Sequence, residues 1–235
     1  MKIWAIVTAR RNSKSILRKN ITKIKNKELI KYSFDQLTKI KQLNKTIVSS
    51  DDEKIKKICK QYNFEYFQRK KKLSGDLVNS VDVVLDVLSE AKNKFNQIPD
   101  YFLLIQPTSI FLNKNNIKKI IDALKSGKYS SAQTITQVPH QFHAYNQRKL
   151  TDNSTTSFVF EKERMRMHNK QTKPVFYSYG NLIASKTTDF LKKKNFFSKP
   201  SYGHVIERIH SFDLDNTYDL KIINQITKKP TKFYE

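Results

Sequence analysis

Two short segments of this chain, residues 3–7 (Ile-Trp-Ala-Ile-Val) and Tyr101–Ile105 (Tyr-Phe-Leu-Leu-Ile), are apolar at every position. A strand with one wet face alternates apolar and polar residues, whereas an unbroken apolar run suits a strand covered on both faces in the middle of a parallel sheet. Helical periods lie between and beyond these runs. Residues 28–41 place Leu29, Ile30, Ser33, Phe34, Leu37 and Ile40 on one stripe, a β-branched strand follows at 46–50, and residues 53–62 are helical again. Residues 65–67 read as a short strand and 80–92 as a helix carrying Val81, Val84, Leu85 and Leu88. After the second apolar run, Ile117, Ile120, Ile121 and Leu124 define a helix and residues 131–138 a strand. Strands alternating with helices of this length predict an α/β fold, a mostly parallel sheet with helices on both faces.

From residue 139 to 174 the period dissolves among His140, His143, Asn146, Asn169 and many basic side chains, which reads as an excursion from one domain spanning 1–235. Regular structure resumes with a strand at 175–184, a helix near 187–192, an extended stretch at 203–209 and a closing helix at 218–226.

The first apolar run ends in a loop carrying Arg10, Arg11, Lys14, Arg18 and Lys19. Ligands of open α/β sheets collect beyond the carboxyl ends of the strands, so this loop stands where a nucleotide would. It contains neither G-x-x-x-x-G-K-[ST] nor G-x-G-x-x-G, which removes the main sequence support for a P-loop NTPase or a dinucleotide oxidoreductase. Cationic side chains spaced along a loop can converge on a triphosphate through charge-assisted hydrogen bonds. Spacing alone fits a solvated basic turn equally well.

The net charge of +24 invites a nucleic-acid reading, since neutralised phosphates supply such affinity. Yet the excess is dispersed over Lys54, Lys56, Lys57 and Lys60 on one helix, Lys70–Lys72 in a loop, Lys118, Lys119 and Lys125 on another helix, and Lys192–Lys194. Lysine far outnumbers arginine, the better bidentate reader of bases and phosphates. The field would still draw in anionic small substrates. No run is long enough to span a membrane and the first residues lack the core of a signal peptide, so a cytoplasmic protein is expected. The one cysteine, Cys59, excludes an internal disulfide and shares a helical stripe with Ile55, Ile58 and Tyr62.

Near the end, Phe212-Asp213-Leu214-Asp215 puts two carboxylates on one face of an extended segment. Magnesium takes oxygen ligands and completes its shell with water and substrate phosphates, so one or two aspartates suffice. Alone, such acids more often decorate the start of the helix that follows; beside a basic first loop in a chain built like this, the metal reading is favoured. His140 and His143 lack a third ligand at useful spacing, no G-x-S-x-G elbow supports a hydrolase, and Asp51-Asp52 occupies an ordinary helix-capping position.

Taken in order, these segments resemble the cytidylyltransferases that make CMP-sialic acid and related CMP-nonulosonic acids. Ala9-Arg10, Ser13-Lys14, Ile16 and Lys19-Asn20 match an opening close to A-R-x-G-S-K-x-I-x-x-K-N. Val48-Ser49-Ser50-Asp51-Asp52, then Arg69 with Leu73-Ser74-Gly75-Asp76 and Ser80-Val81-Asp82-Val83, are similar to the second strand end and base-recognition segment. Leu104-Ile105-Gln106-Pro107-Thr108-Ser109 resembles L-L-Q-P-T-S, Val138-Pro139-His140 resembles V-P-H, and Phe212–Asp215 resembles I-D-I-D.

The resemblance implies a Rossmann-like fold of the nucleotide-diphospho-sugar transferase type with a small dimerisation excursion, and a Mg²⁺-dependent reaction of CTP with a 2-keto-3-deoxy sugar acid that releases pyrophosphate. It assigns Arg10, Lys14 and Lys19 to the triphosphate, with Ser13 and Asn20 beside them, Arg69 and Ser80 to cytosine, and Gln106 to the sugar. Asp213 and Asp215 would hold the metal, and Arg10, Lys14, Lys19 and Asp215 form the catalytic set. Lys170 and Gln171 fall in the sugar-binding half, and Phe196-Phe197 resembles an aromatic pair presented to the neighbouring site of a homodimer.

This sequence departs from the pattern at Asn12, where the family has a glycine and the backbone a position needing a tolerant residue, and at Ile110, which replaces a proline. It departs again at Lys170, in place of the arginine of R-Q-x-x-P, and at Tyr179-Gly180-Asn181. Two other readings remain: a nucleotidyltransferase of the same fold acting on another sugar or nucleotide, and a non-enzymatic nucleic-acid-binding protein.

Overall fold

A computed structural model describes residues 1–152 and 154–227. The chain runs β1 (Ile3–Thr8), β2 (Lys23–Ile24), β3 (Lys27–Glu28), α1 (Leu29–Leu37), β4 (Lys45–Ser50), α2 (Glu53–Gln61), β5 (Glu65–Gln68), α3 (Ser80–Phe95), β6 (Tyr101–Ile105) and α4 (Lys114–Lys125). It continues with β7 (Ser131–Gln137), β8 (Arg148–Thr151), β9 (Thr155–Phe158), α5 (Glu161–Arg166), β10 (Tyr177–Lys186), α6 (Thr187–Lys193), β11 (Ser201–Val205) and α7 (Thr217–Ile226).

Seven strands form the main sheet in the order β11-β7-β10-β6-β1-β4-β5. All neighbours pair in parallel except β10, which runs antiparallel between β6 and β7. The two unbroken apolar runs lie side by side near the middle as β1 and β6, with Ile3 opposite Tyr101 and Val7 opposite Ile105. Alternate residues of β1 serve opposite faces. Ile3, Ala5 and Val7 pack with Ile30 and Phe34 of α1, Ile55 and Cys59 of α2, and Ile117 and Ile121 of α4. Trp4 and Ile6 meet Val84, Val87 and Leu88 of α3 together with Phe102, Phe190 and Phe196. A third cluster of Ile24, Tyr32, Ile110, Phe111, Leu214 and Ile223 seats α7 against the loop after β6.

Several boundaries shift for local reasons. The helix expected at 28–41 ends at Leu37, because Lys39 and Ile40 donate to carbonyls only three residues back and tighten the chain. The extended stretch expected to 209 ends at Val205 and gives way to a 3₁₀ turn at Arg208–Ser211. The β2–β3 hairpin carried no clear sequence signal. Its turn residues Lys25 and Asn26 both have positive φ (47° and 63°), the requirement usually met by Asn-Gly. Asn12, the residue standing where the family has glycine, does not have a positive φ; the left-handed residue of this loop is Arg18, at 53°.

The excursion at 139–174 holds the exposed β8–β9 hairpin and the short helix α5. At its root His143 is buried and stacks on Phe176 with ring centroids 4.6 Å apart. Its Nδ1 accepts from the Tyr145 N–H, so Nε2 carries the proton donated to the Pro174 carbonyl at 3.0 Å. This histidine is a fixed packing element, not half of a metal pair with His140.

Candidate active site

The strand order reverses between β1 and β6: the chain steps from β1 outward through β4 and β5, then returns to β6 on the other side. Crevices at such switch points are where doubly wound sheets bind ligands. A cleft of about 470 Å³ opens there, lined by Thr8 at the end of β1, Arg10 and Ser13 after it, Gln106 and Thr108 after β6, Arg69, Ser80 at the start of α3, and Asp213 and Asp215. Lys19 and Asn20 complete its wall.

The basic loop is anchored on several sides. Asn20 donates Nδ2 to the Arg10 carbonyl at 2.9 Å, the Arg11 N–H donates to Asp51 at 2.7 Å, and the Ala9 N–H donates to the Ser49 carbonyl at 3.0 Å. Arg18 turns away from the cleft and places its guanidinium fork on buried Asp52 at 2.7–3.2 Å. Asp52 also caps α2 through the Lys54 N–H, as its position predicts. Burial pushes the Asp52 carboxyl up, but the Arg18 fork and this N–H outweigh it and hold it below the usual range.

Arg69 is 6 % exposed, with Nη2 donating to the Ser49 carbonyl at 2.9 Å and Nε to the Ser49 hydroxyl at 3.2 Å. Burial lowers its pKa to about 10, partly countered by the charge of Asp51, so it stays cationic near neutrality. Among the described residues it forms no ion pair within 4.0 Å. A desolvated guanidinium with unspent donors on a cleft wall suits an acceptor-rich ligand edge.

The D-x-D segment is tied to both loops of the cleft. Ser109 donates its hydroxyl to Asp213 at 2.6 Å, and the Leu214 N–H donates to the Thr108 carbonyl at 3.0 Å. Lys19 reaches across with its ammonium 2.9 Å from the Leu214 carbonyl, 3.2 Å from the Asp215 carbonyl and 3.5 Å from the Asp215 carboxylate. Ser15 donates to the Asp215 carbonyl. Capping of α7 falls instead to Asn216 and Asp219, which form a reciprocal capping box. Asp213 and Asp215 are therefore not spent on the helix. Burial raises the pKa of Asp213 against the pull of Ser109, and Asp215 raises it further by like charge. Carboxylate oxygens are the donors magnesium prefers, so these two side chains on the cleft wall would supply its protein ligands.

The residues of the sugar-binding half fall elsewhere. Lys170 borders a separate groove with Thr136, His140 and Arg208, and Gln171 is exposed on the excursion. Phe196 and Phe197 separate. Phe196 is a core residue, stacked on Phe190 at 4.9 Å and edge-on to Phe102, because it follows α6 directly into the α3 face of the sheet. It is not presented to a neighbour, which corrects the expectation for the pair; Phe197 is exposed and keeps that role open. Gly180 is demanded by packing, since a Cβ there would lie 2.5 Å from the Thr134 hydroxyl. Asn181 is buried and donates to the His210 carbonyl at 2.7 Å. Tyr179 is 39 % exposed; crowding by the surrounding chain raises its phenol pKa, and the Asp213 charge adds to the rise.

Sequence reasoning missed Ser109 as the partner of Asp213 and Asp76 as the partner of the basic loop. Asp76 lines the cleft and bridges Arg10 at 2.6 Å and Lys14 at 3.2 Å. Both lie inside the motifs already read, and only the folded geometry pairs them.

Residues 4–207 match the family model described as cytidylyltransferase. The chain belongs to the cytidylyltransferase family. It is 26 % identical over 98 % of its length to the N-acylneuraminate cytidylyltransferase of Escherichia coli, of which it spans about half (53 %). It is 27 % identical to the pseudaminic acid cytidylyltransferase of Campylobacter jejuni, with 97 % of both chains covered. Its fold is similar to that of a CMP:2-keto-3-deoxy-manno-octonic acid synthetase solved with CTP, at a TM-score of 0.69 and 10 % identity over 97 % of this chain and 99 % of that one.

Proposed function

We propose that this cytidylyltransferase joins CTP to the anomeric hydroxyl of a 2-keto-3-deoxy sugar acid of the nonulosonic type, releasing pyrophosphate. The carrying observation is the single cleft at the sheet's switch point, where Arg10, Ser13, Arg69, Ser80, Gln106, Asp213 and Asp215 converge. The relatives named for N-acylneuraminate and pseudaminic acid point the sugar assignment toward acids of this class. Arg10 and Lys14 would neutralise the triphosphate, Arg69 and Ser80 would read the cytosine edge, and Gln106 would orient the sugar. Lys19 acts at one remove, fixing the D-x-D segment through its carbonyls rather than offering a free ammonium.

The reaction forms a bond from the sugar oxygen to the α-phosphorus and breaks the bond to the β-phosphate bridge. Such a displacement depends on alignment and charge neutralisation more than on a covalent protein intermediate. Magnesium held by Asp213 and Asp215 would supply Lewis-acid stabilisation of the phosphates. The rest falls to the chain: Arg10 and Lys14 hold charge, Arg69 holds the base, and the Ser109 bond keeps Asp213 aimed into the cleft.

Lys170, Gln171 and Phe197 lie outside this cleft, which supports a homodimer in which the excursion serves the neighbouring site. Among the described residues no helix is long and apolar enough to cross a membrane. With water-soluble substrates this favours a cytoplasmic enzyme, and the dispersed lysines favour steering of anions over specific nucleic-acid binding. The experiment is a pyrophosphate-release screen of CTP, UTP, ATP and GTP against several keto-deoxy sugar acids. Turnover confined to CTP and a nonulosonic acid is expected. Equal use of UTP would refute the base assignment, and turnover only with another sugar class would refute the acceptor.

A further inference from the structure

Two cations of the basic loop, Arg10 and Lys14, share one partner. One carboxylate occupies both: Asp76 Oδ1 lies 2.6 Å from Arg10 Nη1, and Oδ2 lies 3.2 Å from Lys14 Nζ. The two oxygens are shared between two cations much as two oxygens of a phosphate would be. Asp76 lines the same cleft as Arg10, Ser13 and Arg69, so its charge sits inside the volume that the nucleotide reading gives to the polyphosphate.

Little else fixes it there. Asp76 lies between Gly75 and Leu77, whose side chain is fully exposed (100 %), with nothing packed on it. The Val78 N–H to Gly75 carbonyl contact is long at 3.5 Å, and the next firm anchor is Asn79, whose side chain caps α3 through the Val81 N–H. Exposed ion pairs are each worth little, so the carboxylate can leave at small cost. It cannot stay: a triphosphate and a carboxylate sharing two cations at about 4 Å repel each other strongly in a partly enclosed cleft.

We propose that Asp76 is an internal competitor for the polyphosphate site. In the free enzyme its carboxylate holds the cations that the triphosphate of CTP takes over, and it returns to them to help expel pyrophosphate. The inference rests on the nucleotide reading of the cleft. Asp76 thus trades affinity for turnover, since a site that grips pyrophosphate less tightly releases it sooner.

The test is calorimetric binding of inorganic pyrophosphate, without metal, and of CTP to the wild type, Asp76→Asn and Asp76→Ala. Both variants should bind pyrophosphate tighter by about three- to tenfold, the scale of losing two exposed ion-pair competitors. Product inhibition by pyrophosphate should deepen by the same factor. Introduced into an Arg10→Ala, Lys14→Ala background, Asp76→Asn should bring no gain over that background, because the competition is for those two cations. Unchanged or weaker binding in both variants overturns the proposal, as does a gain that survives the loss of both Arg10 and Lys14, which would be a general charge effect. Should the wild type bind neither pyrophosphate nor CTP, the nucleotide reading itself fails and takes this inference with it. Should it bind both while the variants show no gain, only the inference fails.

Discussion

The cleft between β1 and β6 and the excursion at 139–174 are built by opposite means. In the cleft the main functional elements are braced by other parts of the chain: Asp213 by Ser109, the D-x-D backbone by Lys19, Arg69 by Ser49, and the basic loop by Asn20, Asp51 and Asp52. In the excursion, Lys170, Gln171 and the β8–β9 hairpin stand in solvent, and Leu150, Phe142 and Met165 are exposed apolar side chains. A braced site is preorganised within one chain, whereas exposed apolar groups beside unspent cations are the mark of a surface that gains its environment from a second body. On the proposed reading, the nucleotide half is complete within one chain and the sugar half is completed by a second.

The largest expected effect tests where that boundary runs. Phe196 and Phe197 are adjacent in sequence but belong to different regions, one in the core and one on the surface. Phe196→Ala should cost about 3–5 kcal/mol of stability by opening a cavity against Phe190 and Phe102. Phe197→Ala should leave the melting temperature within a degree or two while raising the sugar KM. Equal destabilisation by both would merge the regions, and thermal denaturation with kinetics on the two variants decides it.

Within the cleft, Asp215→Asn should lower kcat on the order of a hundredfold or more, as expected when a metal's Lewis-acid role is lost. The side chain is 75 % exposed, so the fold should persist. Near-normal kcat at saturating magnesium would show that the carboxylate pair is not a metal site.

Arg69→Met should act on binding instead. Losing hydrogen bonds from a charged donor, worth about 1.5–3 kcal/mol, raises the KM for CTP by about ten- to a hundredfold. The preference for CTP over UTP should shrink with it. A lower kcat with unchanged KM for CTP would place Arg69 on the reacting phosphates rather than on the base.

How much of this was legible in the sequence follows the same boundary. The unbroken apolar runs announced β1 and β6, and helical stripes located α1 to α4, because burial on defined faces leaves a period. Residues 10–20 could be placed at the ligand-binding end of the sheet because they follow a central strand, whereas 69–80 and 106–109 joined them only through the family resemblance. The reversed direction of β10 was not legible, since the buried run from Gly180 to Ser185 looks the same whichever way it runs. Nor was the burial of Phe196, where two adjacent aromatics carry no period to say which faces in. Asp213 and Asp215, which read alone more readily as helix acids, are released from that role by Asn216 and Asp219, which cap α7. Pairings of a side chain with a distant backbone, such as Lys19 with residue 214, leave no trace in a single sequence.

The smallest expected effect is the sharpest test of the comparison. Lys170 stands where the family pattern has an arginine, and an ammonium attracts a carboxylate without the planar two-point grip of a guanidinium. Lys170→Ala should therefore raise the KM for the sugar acid only severalfold, by about three- to tenfold, and leave that for CTP unchanged. Arg166→Ala should show the same selectivity if it shares the carboxylate. The subunit origin of the effect can be read by mixing. If Lys170 serves the partner's cleft, an excess of Asp215→Asn protein should drive Lys170→Ala chains into mixed dimers. In each, the only working cleft then combines an intact Asp215 with an intact Lys170 from the other chain. The sugar KM should return to the wild-type value even though neither parent has it. If Lys170 serves its own cleft, every working site in the mixture still carries the lesion and the KM stays high. That outcome would mean the excursion folds back on its own chain, and the division between a complete half and an incomplete one would dissolve.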